Sequence, residues 1–224
     1  MKKLVILLIA GVMSVGCFAQ KATMGVYFNK TIATGEFGDN LGKNPNGLII
    51  NGNYGIKNTG FSVGAELGVS MYSNRDYTLE TPTETINVHE EDCYYTGKAM
   101  LRYYFLRDKA ISPFIVGKLG FSTFFSDMTA EEETDAFENR SETHGTAFNS
   151  GAGFGLQCNL GKLFNFGSTR KPIFFEASAN RNYGSVSNYR DIKGFDGAAR
   201  NLDNGSFSSR TSHMDFHFGV SFSL

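Results

Sequence analysis

Eight stretches of the chain alternate apolar and polar side chains with a period of two, the signature of strands with one greasy and one polar face. They run approximately Ala22–Asn29, Leu48–Lys57, Phe61–Tyr72, Cys93–Phe105, Phe114–Phe125, Ala147–Asn159, Ile173–Tyr183 and His213–Leu224. The last is the clearest. Met214, Phe216, Phe218, Val220, Phe222 and Leu224 share one face, and His213, Asp215, His217, Gly219, Ser221 and Ser223 the other. The third repeats the pattern, with Phe61, Val63, Ala65, Leu67, Val69 and Met71 against Ser62, Gly64, Glu66, Gly68 and Ser70. No apolar period of 3.6 is sustained after the first twenty residues, so the pattern predicts an all-β chain.

The connections alternate in length. Long loops are expected at Lys30–Gly47, Ser73–Asp92, Ser126–Thr146 and Gly184–Ser212, and short turns at Lys57–Gly60, Leu106–Pro113 and Leu160–Pro172. Long and short connections therefore sit on opposite ends, the asymmetry of outer-membrane barrels. About ten residues per strand, at roughly 3.3 Å each and tilted by about 40°, cover roughly 25 Å, the height of the apolar band of such barrels. The expectation is a transmembrane up-and-down antiparallel β-barrel of eight strands.

Alternation alone does not separate a membrane barrel from a soluble one with a greasy pocket. The polar face decides: Gly64, Gly68, Gly120, Gly151, Gly153, Gly155 and Gly219, with Ser62, Ser70, Ser122, Ser178 and Asn180, suit a crowded interior, whereas a soluble surface carries far more Lys and Glu. Six charges stand on this face, Glu66, Lys98, Arg102, Lys118, Glu176 and Asp215. Three are positive and three negative, and the expectation is a salt-bridged lumen network, because an unpaired buried charge is expensive. Tyr27, Tyr94, Tyr104 and Phe124 fall on the same face. Tyr95, Phe105 and Phe125 lie near ends of the opposite face, placed for interfacial girdles.

Composition agrees: 26 Gly, 21 Phe and 10 Tyr against 4 Pro suit strands and tight turns. A formal net charge of −1 gives no reason to expect a nucleic-acid partner. Residues 1–19 read as a signal peptide, with Lys2 and Lys3, an apolar stretch Leu4–Val15, and small residues Cys17 and Ala19 before a cut that leaves 20–224 as the barrel domain. A competing reading is a lipoprotein signal ending in Gly16-Cys17, although Ser14 stands where that motif wants Leu. Cys93 and Cys158 are expected at opposite ends of their strands, too far apart to bridge.

The last eight residues, His217-Phe218-Gly219-Val220-Ser221-Phe222-Ser223-Leu224, resemble the C-terminal signal of outer-membrane barrels: polar His217, Gly219, aromatic Phe222 and hydrophobic Leu224. Stretches such as Ser112–Ser122 and Gly151–Leu156 are similar to strands of the eight-stranded outer-membrane β-barrel domain family, which includes OmpX, the OmpA transmembrane domain, the opacity-type porins and PorT-like barrels. The resemblance spans Gln20–Leu224. It implies an outer-membrane location, contact with outer-membrane lipid and lipopolysaccharide, and handling by the barrel-assembly machinery during insertion. With no further domain after the last strand, a lone barrel is expected. A surface ligand or secretion-system partner is left unnamed.

Candidate chemistry is sparse. Gly151-Ala-Gly-Phe-Gly lacks the following helix and third Gly of a dinucleotide loop, and no cofactor is expected. His213, Asp215 and His217 are ligand types on one strand face, but their spacing of roughly 7 Å is wide for one ion, and lumen hydrogen bonding is the favoured role. The acids of the second and third loops, among them Asp76, Glu90, Asp92, Asp127 and Glu142, read as solvated, with cation bridging to lipopolysaccharide secondary. The Gly, Ser and Asn of the fourth loop suggest mobility. His89, His144 and His213 could share the outer rim with Ser73, Ser126, Ser141 and Ser212, the residue types of lipid A-modifying enzymes. The leading expectation is a non-enzymatic barrel with a filled lumen and four long outer loops. A narrow channel or OmpW-like transporter of small apolar solutes, and a lipid A-modifying enzyme, are the alternatives.

Overall fold

In the computed structural model, which describes residues 22–41, 43–80, 85–107, 109–132, 139–164, 172–190 and 206–224, the eight alternating segments close into one antiparallel barrel. Its strands are β1 (Ala22–Ala33), β2 (Asn46–Gly55), β3 (Phe61–Glu80), β4 (Thr85–Tyr104), β5 (Ile111–Glu132), β6 (Asn139–Asn159), β7 (Ile173–Gly184) and β10 (His213–Ser223). Each pairs with its neighbour in sequence, and β10 completes the ring against β1 in an unbroken register from Thr23↔Ser223 to Ala33↔His213. Residues 1–19, expected to be a signal peptide, lie outside the described residues. Cys93 and Cys158 are free thiols, on β4 and β6.

The apolar face is the outer one. Phe28, Leu67, Leu101, Phe121, Phe154 and Val220 are all exposed, as are Val26, Val69, Leu119, Leu156 and Phe222 two residues away in the same strands. The polar face is buried, including Asp215, His217 and Ser221 of β10. Aromatics mark the two edges of this band. Tyr95 and Phe125 stack edge to face, 5.3 Å apart, at one end. Phe61, Tyr103 and Phe105 form a chain of contacts at 4.8 and 5.3 Å at the other.

The expected long loops are corrected in three places. Ser73–Asp92 is mostly strand: β3 runs to Glu80, β4 begins at Thr85, and their ladder continues to Glu80↔Thr85. Ser126–Thr146 is likewise absorbed by β5, to Glu132, and β6, from Asn139. Strands of 20 residues or more are about twice what the membrane needs, so a four-stranded wall projects beyond it. There lipid no longer demands an apolar outer face, buried inner positions such as Glu90 and Asp92 are polar too, and the sequence reads as loop. The fourth loop, expected to be mobile, carries a hairpin of β8 (Val186–Arg190) and β9 (Ser206–Arg210), packed on β6 and β5. Within the first loop stands a short helix, α1 (Glu36–Leu41), and the connection after β6 opens with a one-turn helix, α2 (Leu160–Leu163).

One irregularity sits at the membrane edge. The β3–β4 register slips between Met71 and Ser73, so Tyr72 is an extra residue on β3 and both Tyr72 and Ser73 are buried. The bulge falls where β3 loses β2 as a neighbour, since the β2–β3 ladder ends at Met71.

In the wall, His89 Nδ1 and Asp76 Oδ1 are 2.5 Å apart on directly opposed residues of β4 and β3. This hydrogen bond raises the imidazole pKa above its ordinary value. The contact is therefore fully present below the ordinary histidine pKa and is lost as pH rises through the raised one. An NMR titration is expected to give His89 a pKa above the free-histidine range, and Asp76→Asn to bring it back. For the lipid face, Leu119→Arg, on a side chain 57% exposed at mid-strand, is expected to cost about 2–4 kcal/mol in denaturant unfolding from phospholipid vesicles. A change below 1 kcal/mol would contradict the outward assignment of this face.

Candidate functional site in the lumen and its two ends

Eight strands enclose an interior just wide enough for side chains. Even-numbered residues of β3, β4 and β5 and odd-numbered residues of β10 point into it, which brings together charges far apart in sequence. They form two groups. In the upper one, Lys118 Nζ donates to Glu66 Oε2 at 2.8 Å, and Lys98 Nζ lies 4.0 Å from Glu66 Oε1 and 3.5 Å from Asp215 Oδ2. In the lower, Arg102 Nη1 lies 2.8 Å from Glu176 Oε1 and 3.0 Å from Oε2, with its guanidinium carbon 4.8 Å from the centre of the Phe114 ring. All six side chains are almost fully buried. Each group holds equal numbers of cations and anions and is neutral by itself.

Neutral partners complete the upper group. Asp215 accepts from Thr31 Oγ1 at 2.6 Å and from Asn182 Nδ2 at 2.9 Å. Thr31 is in turn 2.7 Å from the Tyr94 hydroxyl, and Asn182 Oδ1 accepts from Lys98 at 3.3 Å. His213 Nδ1 donates to the Thr211 carbonyl at 2.9 Å, and its Nε2 is 3.4 Å from Asp215. The Arg102 pair has fewer partners, the Tyr104 hydroxyl at 3.4 Å and Gln157 at 3.4 Å. Asn180 Oδ1, Arg102 Nε and His217 Nε2 are buried without a hydrogen-bond partner in the protein. Buried polar atoms of this kind call for ordered water.

The four residues expected to form a terminal assembly signal divide between the two faces. His217 is buried in the lumen, while Phe222 and Leu224 are exposed outside. Gly219 lies against β1, where a Cβ would collide with the Val26 carbonyl and the Tyr27 backbone, so this position admits the Tyr27 ring only with glycine.

Sequence reasoning misses what stands above the charges. Phe37 and Leu41 of α1 turn into the outer mouth and are fully buried among Tyr72, Tyr94, Phe124, Ala147 and Tyr189. Phe37 meets Tyr189 and Phe124 edge to face, at 5.1 and 5.7 Å. Asn40 Nδ2 donates to the Tyr189 hydroxyl at 3.1 Å, and that hydroxyl is 2.6 Å from Ser209 Oγ. Gly35, at φ +63°, makes the turn that sends α1 inward. The plug thus joins the first connection to the β8–β9 hairpin. Two acids were also misplaced: Glu90 and Asp92, read as solvated loop residues, are buried on the inner face of the extended β4. The only available signal was the parity they share with Tyr94 and Lys98.

The arrangement matches known proteins in fold. A family model described as the outer membrane protein β-barrel domain matches residues 5–208. No curated protein matches the sequence. Among solved structures, the chain is similar to Neisserial surface protein A, with a TM-score of 0.50 at 11% identity over 91% of this chain and 97% of that one. It is also similar to Ail, the attachment invasion locus protein of Yersinia pestis, solved with the heparin analogue sucrose octasulfate. There the TM-score is 0.52 at 15% identity, over 91% of this chain and 98% of that one. At these identities the likeness is one of fold.

Removing one partner of a buried ion pair leaves the other uncompensated, at about 3–5 kcal/mol. Glu176→Gln is expected to lower unfolding stability in detergent micelles by about 3 kcal/mol, and Arg102→Met with Glu176→Leu to recover most of it. An unchanged midpoint for the single variant would show that solvent, not Glu176, neutralises Arg102.

Proposed function

The chain belongs to the outer-membrane β-barrel domain family, and on that premise we propose that it is a plugged, non-conducting barrel that acts through its outer surface. The carrying observation is the closed outer mouth. Phe37 and Leu41 fill it with apolar side chains, and below them two neutral groups of charges cross the lumen. An ion entering from outside would meet first an aromatic barrier and then fixed salt bridges. The polar lumen also speaks against transport of small apolar solutes.

The acting surface is the wall of β3–β6 and the hairpin of β8 and β9. Between that hairpin and the start of α1 lies a cleft of about 510 Å³, lined by Arg181, Arg210, Glu36 and Ser212 among others, which suits a polar surface ligand or lipopolysaccharide. The reading is non-enzymatic. His89 is engaged by Asp76, and His213 by Thr211 and Asp215. These contacts use the imidazoles for structure rather than for activating a serine, as lipid A hydrolysis or acyl transfer would require.

Planar-bilayer recording on the refolded protein tests this directly. No steady unitary current is expected from the wild type, while Phe37→Ala combined with Tyr189→Ala is expected to admit brief openings. Sustained large currents through the wild type would sink the reading in favour of a channel. Mass spectrometry of lipid A from cells with and without the protein is expected to show identical species.

A further inference from the structure

The short-turn end of the barrel has a charge pattern that the lumen groups do not use. Three connections face this side, between β2 and β3, β4 and β5, and β6 and β7. Among the described residues of these connections stand Lys57, Arg107, Lys109 and Lys162, and no acid. The long-connection end has the opposite bias along the wall, in Asp76, Glu90, Glu91, Asp92 and Asp127. The chain's net charge near zero therefore conceals a polarised molecule.

A vestibule of about 280 Å³ opens at the basic end. Arg107, Lys109 and Lys162 are among its lining residues, with Asn53, Ser62 and Gln157 beside them, and no carboxylate lines it among the described residues. One of its polar groups points to an anion. Ser62 is 4% exposed, and its Oγ has no hydrogen-bond partner in the protein. A serine hydroxyl without a partner, next to a cationic rim, is a donor available to an anion. The Arg107 guanidinium is held in place, since Nη1 donates to the carbonyls of Ile56, at 2.9 Å, and Thr59. Lys162 stands on α2, whose first turn is capped by Asn159 through a 3.1 Å bond to the Lys162 amide.

The flanking residues fix the depth. Phe105 and Leu106 precede Arg107, Leu163 and Phe164 follow Lys162, and all four are exposed. Large apolar side chains exposed at the rim of a membrane barrel lie among acyl chains, and cations one residue away lie at the level of the headgroup phosphates. A soluble anion would need no such apolar collar.

We propose that this rim is a binding site for an anionic phospholipid of the surrounding leaflet. Its phosphate enters the vestibule mouth between Arg107, Lys109 and Lys162, with Ser62 as a further donor, and its acyl chains lie along Phe105, Leu106, Leu163 and Phe164. With Nη1 held by the two carbonyls, Arg107 offers its Nε–Nη2 edge to two phosphate oxygens, and the two lysines supply point charges.

The test uses the refolded barrel in nanodiscs of phosphatidylcholine containing a minor fraction of phosphatidylglycerol, with retained lipid identified by native mass spectrometry. The wild type is expected to retain phosphatidylglycerol at least tenfold over its share of the bilayer, from about one kcal/mol per cation near the surface. R107Q with K109Q and K162Q is expected to lose that preference, while K57Q, which removes a cation of the same end that does not line the vestibule, keeps it. Equal retention of both lipids by the wild type overturns the proposal, and this arm does not depend on any variant folding. Retained preference in the triple variant also overturns it. A calorimetric arm with inorganic phosphate and the detergent-solubilised wild type separates the sources: saturable binding of free phosphate, with displacement of phosphatidylglycerol, would assign the vestibule to a soluble anion instead.

Discussion

Hydrocarbon offers no partner to a backbone N–H or C=O, and the architecture depends on that deficiency. A sheet in a bilayer must have no edge, so β10 must return to β1. Once the ring closes, the period of two assigns each strand one face to lipid and one to the lumen. An even number of strands then leaves the start of β1 and the end of β10 on the side of the short connections. The aromatic pairs at the two edges of the apolar band, Tyr95 with Phe125 and Phe61 with Tyr103, follow as interfacial anchors. Nothing in this sequence of consequences requires a hydrophobic core, and the lumen is polar.

A ring of eight strands leaves an interior too narrow for bulk water and too polar to be left empty. The side chains resolve this in layers. Arg102 and Glu176 neutralise each other near the inner end, Glu66, Lys98, Lys118 and Asp215 do so at mid-height, and an aromatic group around Phe37 closes the top. The larger apolar cluster sits at the mouth, where α1 folds inward from a connection, and a smaller one of Met100, Phe114 and Val116 lies lower in the lumen. Membrane embedding comes from the outer face, and occlusion comes from the first and fourth connections.

The fold was legible because lipid enforces contrast. Between Phe61 and Met71 the outward side chains must be apolar and the inward ones small or polar, so the strand announces itself. The same β3 is silent from Ser73 to Glu80, beyond the membrane, where lipid no longer demands an apolar outer face, and there the strand passes for a loop. For the lumen, parity assigns Glu66, Lys98 and Asp215 to one face, but which charge meets which depends on the stagger across the ring. The neutral members, Thr31, Tyr94 and Asn182, carry no pattern at all. The plug was illegible for another reason. Phe37 and Leu41 are two apolar residues in a six-residue helix, too few for any period, and their role comes from the turn at Gly35 and from partners over a hundred residues away, such as Tyr189.

The lumen charges also have an order along the chain. Strands β3, β4 and β5 contribute Glu66, Lys98, Arg102 and Lys118, one anion against three cations, whereas β7 and β10 contribute only the anions Glu176 and Asp215. Among these six charges, an open sheet on its way to becoming a ring would therefore hold the cations on its earlier strands and most of the anions on its later ones. Lys98 finds Asp215, and Arg102 finds Glu176, only when the late strands swing round to face the early ones across the interior. Zipping the last seam satisfies the backbone, and the same closure brings these cations and anions within reach of each other across the interior.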